Sequence, residues 1–134
     1  MVQPHIISLP DIGSADIGQL VVAEGDNLPF VVKRAYWTFG VPTNKIRGHH
    51  AHRALEQLIV APHGTLELTV ETPDRIRHGF VLDHPTLALY IPRLCWREIK
   101  FGPDAVLLCL ASMEYAESDY IRSYYDYIRL VEKL

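Results

Sequence analysis

The sequence predicts an all-β domain, either a sandwich or a closed barrel, that ends in one short helix. Three observations carry this reading. From Ile6 to Ala111 the chain is built of β-branched and aromatic runs punctuated at short intervals by Pro, Gly and Asn or Asp. No long helical period occurs before Ser112, and after Ser112 the pattern changes.

Ten strands follow in order: His5–Leu9, Gly18–Ala23, Val31–Phe39, Lys45–Ala51, Glu56–Pro62, Gly64–Glu71, Ile76–Leu82, Leu87–Ile91, Trp96–Phe101 and Ala105–Ala111. Gln57-Leu58-Ile59-Val60-Ala61 is almost wholly apolar and should be buried on both faces, whereas Leu66-Glu67-Leu68-Thr69-Val70 alternates and should be half exposed. So many short strands in one chain favour an architecture that disposes of open sheet edges. Ser118 is a reasonable N-cap for a closing helix running to Leu130, with Asp119 in its first turn and its tyrosines packed on the sheets.

A chain of 134 residues is expected to form a single domain over 1–134, and such a domain buries about two-thirds of its unfolded surface. The net charge of -3 and the pI near 6.1 come from interspersed acids and bases, so no basic stripe exists to neutralise a nucleic-acid backbone. Apolar runs such as Ala105–Ala111 are far shorter than the roughly 20 residues of a membrane span, and Met1–Pro10 lacks a secretory pattern. No nucleic acid and no membrane are expected as partners, and the expected location is cytoplasmic. Cys95 and Cys109 lie in apolar runs without metal-site spacing, as buried free thiols do.

Ionisable groups concentrate in Arg47-Gly48-His49-His50-Ala51-His52-Arg53. On a strand, His50 and His52 share one face and His49 and Ala51 the other, which puts two imidazoles in one pocket. Arg47 would then lie opposite the pair unless Gly48 bends the strand. The His-x-His spacing, Glu56 four residues on and Gly64 beyond resemble the first signature of the cupin barrels, in which such groups bind a metal. The last metal-ligand position of those proteins falls on Arg97, which is permanently charged and cannot ligate a cation. No metal and no cofactor are therefore expected, although Glu56 keeps a metal-dependent cupin enzyme open as an alternative. Two imidazoles without a metal suit proton transfer near neutral pH, with Arg97 or Arg47 beside a developing enolate oxygen.

A closer resemblance covers the chain from about Lys33 onward. Arg47 to Arg53, Leu55-Glu56-Gln57, Leu89-Tyr90-Ile91-Pro92, Trp96-Arg97-Glu98, Val106 to Ser112 and Glu117-Ser118-Asp119-Tyr120-Ile121-Arg122 together resemble the WxcM-like sugar 3,4-ketoisomerases. The resemblance implies a cupin jelly-roll β-barrel, a homodimer that often exchanges strands, and a reaction on dTDP-4-keto-6-deoxy-D-glucose. That reaction gives the 3-keto-6-deoxy sugar through an enediol. It implies His50 and His52 as catalytic residues, with His52 taking the C3 proton and His50 delivering one to C4. Substrate binding is expected from Arg47 at the pyrophosphate, from Tyr36 and Arg97 in the pocket, and from Tyr90 and Trp96 as stacking surfaces. The rival to catalysis within this resemblance is a cupin that binds a nucleotide sugar without turning it over.

Overall fold

Strand alternation decides the architecture. The computed structural model describes residues 1–134, in which twelve strands and one helix follow in order. They are β1 (His5–Ser8), β2 (Asp11–Ser14), β3 (Gly18–Val21), β4 (Arg34–Thr38), β5 (Ile46–His52), β6 (Gln57–His63), β7 (Leu66–Glu71), β8 (Arg77–Leu82), β9 (Leu87–Ile91), β10 (Trp96–Phe101), β11 (Val106–Ala111), β12 (Tyr120–Ile121) and α1 (Tyr124–Val131). Two five-stranded antiparallel sheets face each other, ordered β1-β9-β6-β11-β4 and β12-β5-β10-β7-β8. This is the all-β jelly roll with a short C-terminal helix that the sequence predicts.

Inward positions of both sheets meet in one core. Ile59 and Ala61 of β6, Leu66, Leu68 and Val70 of β7, Leu89 and Ile91 of β9, Ile99 and Phe101 of β10, and Leu107 and Cys109 of β11 interlock there. Alternate residues of the first sheet face outward, yet Leu58, Val60, Ala88 and Tyr90 are also buried, beneath a strap containing Val21, Leu28 and Phe30. That second layer explains why Gln57 to Ala61 is buried at every position, while Leu66 to Val70 alternates buried and exposed. Both cysteines are buried and unpaired. No helix is long and apolar enough to cross a membrane.

Two segments depart from the sequence reading. Asp11–Ser14 pairs with Gly18–Val21 as a separate hairpin, and that hairpin leaves Ile12, Ile17 and Leu20 exposed. The closing helix begins at Tyr124 rather than Ser118: its N-cap is Ser123, whose side chain accepts the Asp126 N–H at 3.2 Å. Tyr120 and Ile121 instead extend the second sheet, paired with His52 and Ala51 at the open edge of β5. Backbone groups at that edge need partners, and this demand outweighs the local helical pattern. The helix then covers Ala51, Trp96 and Ile121 with Tyr127 and Val131. The Tyr127 hydroxyl pins it by donating to the Leu94 carbonyl at 2.9 Å.

Candidate active site

One end of the barrel interior is polar. A cavity of about 260 Å³ opens there, lined by residues that include Tyr36, Arg47, His50, Gln57, Arg97, Tyr120 and Arg122. Among the lining residues on strands, each side chain except Arg47 owes its direction to simple alternation. Across β5 and β10 the register slips: Arg97 faces His50, but Glu98 faces Gly48, so His49 is left unpaired as a bulge. Gly48 sits at φ 98° and His49 at φ 54°. A Cβ on Gly48 would come within 3.0 Å of the Arg97 carbonyl oxygen, so glycine is required both by conformation and by space. The extra residue resets the alternation, and Arg47 therefore lines the same cavity as His50. His49 remains at the surface.

The two imidazoles meet edge to face with centroids 4.9 Å apart, but they stand differently toward the cavity. His50 lines it, and its Nδ1 lies 3.1 Å from the Gly48 carbonyl, which can only accept. That contact makes Nδ1 the protonated nitrogen and leaves the Nε2 lone pair free. His52 is fully buried against Tyr120, whose ring centroid is 4.4 Å away. Its Nδ1 donates to Asp119 Oδ2 at 3.0 Å, while Nε2 is buried without a partner. Asp119 is itself fixed, accepting the Ala54 N–H at 2.8 Å and the Leu55 N–H at 3.2 Å. Burial lowers the His50 pKa to about 3, with the Arg97 charge adding to the effect. Burial and then Arg97 depress His52 as well, to about 3. The Asp119 carboxylate opposes that shift and would stabilise an imidazolium at this position.

Arg97 lies beside the pair and is 1% exposed. It donates through Nη1 to Gln57 Oε1, and through Nη2 and Nε to the Cys95 carbonyl at 3.2 and 3.4 Å. Gln57 Nε2 in turn donates to the Tyr36 hydroxyl oxygen at 3.0 Å. Burial raises the Tyr36 pKa, which keeps its phenol neutral. At the rim, the Arg122 guanidinium lies 4.2 Å from the Tyr120 ring centroid and Arg34 lies 4.7 Å from that of Tyr36.

Of the residues singled out from the sequence, His50, Arg47, Arg97 and Tyr36 line one cavity, and His52 stands directly against it. Tyr90 and Trp96 do not join them. Tyr90 alternates to the outer face of β9, where its hydroxyl donates to Glu56, and Trp96 alternates to the outer face of β10 beneath α1. Glu56 is likewise turned outward, so the carboxylate considered as a metal ligand faces a separate cleft of about 820 Å³ that holds no imidazole. Its neighbour Gln57 takes the inward position. No three His, Cys, Asp or Glu side chains converge here, so the donor set does not fit a divalent metal. Asp119, Gln57, Tyr120, Arg122 and Arg34 were not singled out from the sequence. Period-2 spacing of Tyr120 and Arg122 was the available signal, masked by reading Ser118–Leu130 as helix.

Comparison with known proteins gives a consistent answer. A family model described as "FdtA: WxcM-like, C-terminal" matches residues 2–132. A TDP-4-oxo-6-deoxy-alpha-D-glucose-3,4-oxoisomerase from Aneurinibacillus thermoaerophilus is 36% identical over 119 residues, covering 87% of this chain and 85% of that protein. The sugar 3,4-ketoisomerase QdtA from Thermoanaerobacterium thermosaccharolyticum, solved with TDP, superposes with a TM-score of 0.90 at 36% identity over 97% of this chain and 95% of that one. A histidine-to-asparagine variant of QdtA, solved with TDP-4-keto-6-deoxyglucose, gives a TM-score of 0.92 at 35% identity over 99% and 96% of the two chains. Matched almost from end to end in sequence and in fold, this chain belongs to the WxcM-like family, as its histidine motif led one to expect.

Proposed function

We propose that this protein converts a TDP-linked 4-keto-6-deoxy-D-hexose to its 3-keto isomer by acid–base catalysis in the His50 cavity, in deoxysugar biosynthesis. The observation that carries the proposal is a neutral imidazole with a free Nε2 lining a cavity beside a buried, uncompensated guanidinium. The TDP-sugar 3,4-ketoisomerases among its relatives support the substrate class.

The cavity is smaller than the roughly 300–1,000 Å³ that encloses a drug-sized ligand, so it takes the hexose end. Arg47 and Arg122, exposed on its rim, then meet the diphosphate. His50 touches the sugar, because it is the imidazole that lines the cavity. On this reading His50 keeps the expected delivery to C4 and also takes the C3 proton, the step expected of His52. His50 Nε2 takes the C3 proton, the C3–H pair forms the C3=C4 double bond, and the C4 oxygen becomes an oxyanion facing Arg97. The O3 proton then passes to O4, C3=O forms, and C4 receives a proton from His50, which leaves the C4 hydroxyl of the product. His52 backs His50 edge to face, with Asp119 holding its tautomer and its Nε2 free.

The exposed β2–β3 hairpin and the exposed Trp37 and Phe39 beside β11 support a homodimer in which a second chain covers these surfaces. Unpaired buried thiols support a reducing, cytoplasmic setting. Proton NMR with TDP-4-keto-6-deoxyglucose in deuterated water tests the reaction. Deuterium at C3 of the recovered substrate and at C4 of a new 3-keto product is expected, and binding without exchange would favour a non-catalytic nucleotide-sugar-binding cupin.

A further inference from the structure

We propose that Gln57 is a positioning residue that tethers Arg97 while leaving its charge unneutralised, so that the guanidinium meets the sugar oxyanion at full strength. This rests on the isomerase reading above.

The argument begins with the acids the cavity lacks. None of its 14 lining residues is Asp or Glu, although Arg34, Arg47, Arg97 and Arg122 are all among them. Elsewhere the fold compensates buried charge directly: the 4%-exposed Glu71 side chain holds Arg75 at 3.3 Å and Arg77 at 3.2 Å, and Asp119 holds His52. Arg97, buried more deeply than any of these arginines, ends all its hydrogen bonds on neutral oxygens. A buried guanidinium without an anion is costly, and the cost is recovered when a bound species brings the negative charge.

The chain has a carboxylate one residue away. Glu56 and Gln57 are adjacent, and β6 sends the amide inward and the acid outward to Tyr90. A one-residue slip in β6 would exchange them. With a carboxylate in the Gln57 position, Arg97 would form a charge-assisted pair that is present before the substrate arrives. The amide instead offers one acceptor to Arg97 and one donor to the Tyr36 oxygen, which fixes both groups without adding charge.

The test compares Gln57→Glu with Gln57→Met, each checked for folding by circular dichroism. Charge preservation predicts that Gln57→Glu is the worse variant, with kcat down about 100-fold, as for loss of an oxyanion donor, and KM changing far less. A simple hydrogen-bonded strap predicts the opposite order, because Glu keeps the acceptor and Met does not. Gln57→Glu retaining more activity than Gln57→Met would overturn the proposal. Nitrogen NMR of His50 in the free protein gives a second readout that needs no turnover. The midpoint should rise in Gln57→Glu and not in Gln57→Met, and an unmoved midpoint in Gln57→Glu would also overturn the proposal. A wild-type protein inactive on TDP-4-keto-6-deoxyglucose would remove the isomerase reading, while the NMR comparison would still decide the role of Gln57.

Discussion

The two ends of the barrel interior are made by strands of the same two sheets under the same alternation, yet they solve opposite problems. Leu66, Leu68, Val70, Leu82 and Leu89 close one end with apolar contacts, each at most 2% exposed. At the other end Arg97, His52 and Gln57 are buried just as deeply, and one imidazole nitrogen has no partner. The first end supplies stability. The second spends part of it on a positive, poorly compensated cavity whose value appears only with ligand bound.

Substitutions should separate the two ends cleanly. The largest effect is expected from His50→Asn: turnover falls by about 100-fold to 10,000-fold, while the melting temperature barely moves. Parallel kinetic and thermal-melt measurements check it, and full turnover would remove His50 from the mechanism. Next is Leu68→Ala, which should cost about 2–5 kcal/mol by chemical denaturation and leave kcat per folded molecule unchanged.

Acid should sharpen the contrast. His50 and His52 are held near pKa 3 when folded against an ordinary value of 6.5, so below about pH 6.5 the unfolded chain binds protons that the folded chain refuses. Stability is expected to fall progressively as pH drops from about 6.5 toward 3, and less steeply in His50→Asn. Denaturation midpoints across that range give the slope. Leu68→Ala should shift the whole curve down without changing its shape. The smallest effect on the folded chain, within about 0.5 kcal/mol, is expected from Leu20→Ser on the exposed hairpin. Light scattering should nonetheless show weakened self-association if the hairpin forms the proposed homodimer interface, and unchanged self-association would overturn that placement.

The apolar end was readable from the sequence because alternation and one apolar run specify it: Leu66 to Val70 alternates as written, and Gln57 to Ala61 is buried on both faces. The polar end was readable in part. His50 and His52 follow from spacing, but Arg47 reaches the cavity only through the bulge at His49, whose register slip has no local sequence pattern beyond Gly48. Tyr90 and Trp96 lie outside the His50 cavity because alternation turns both to the outer faces of their strands, a direction their residue type does not announce. Asp119 was missed because its partner is 67 residues away and its segment carries a helical pattern that the open edge of β5 overrides.

That last segment has a bearing on biogenesis. Asp119, Tyr120 and Arg122 all follow β11, so during synthesis every strand of the two main sheets except β12 has emerged before the residues that set the His52 tautomer and wall the cavity. The strands that carry the two histidines and Arg97 therefore precede the segment that completes the site around them. Completion of the site is thus last in the order of emergence, after every strand that carries His50, Gln57 and Arg97.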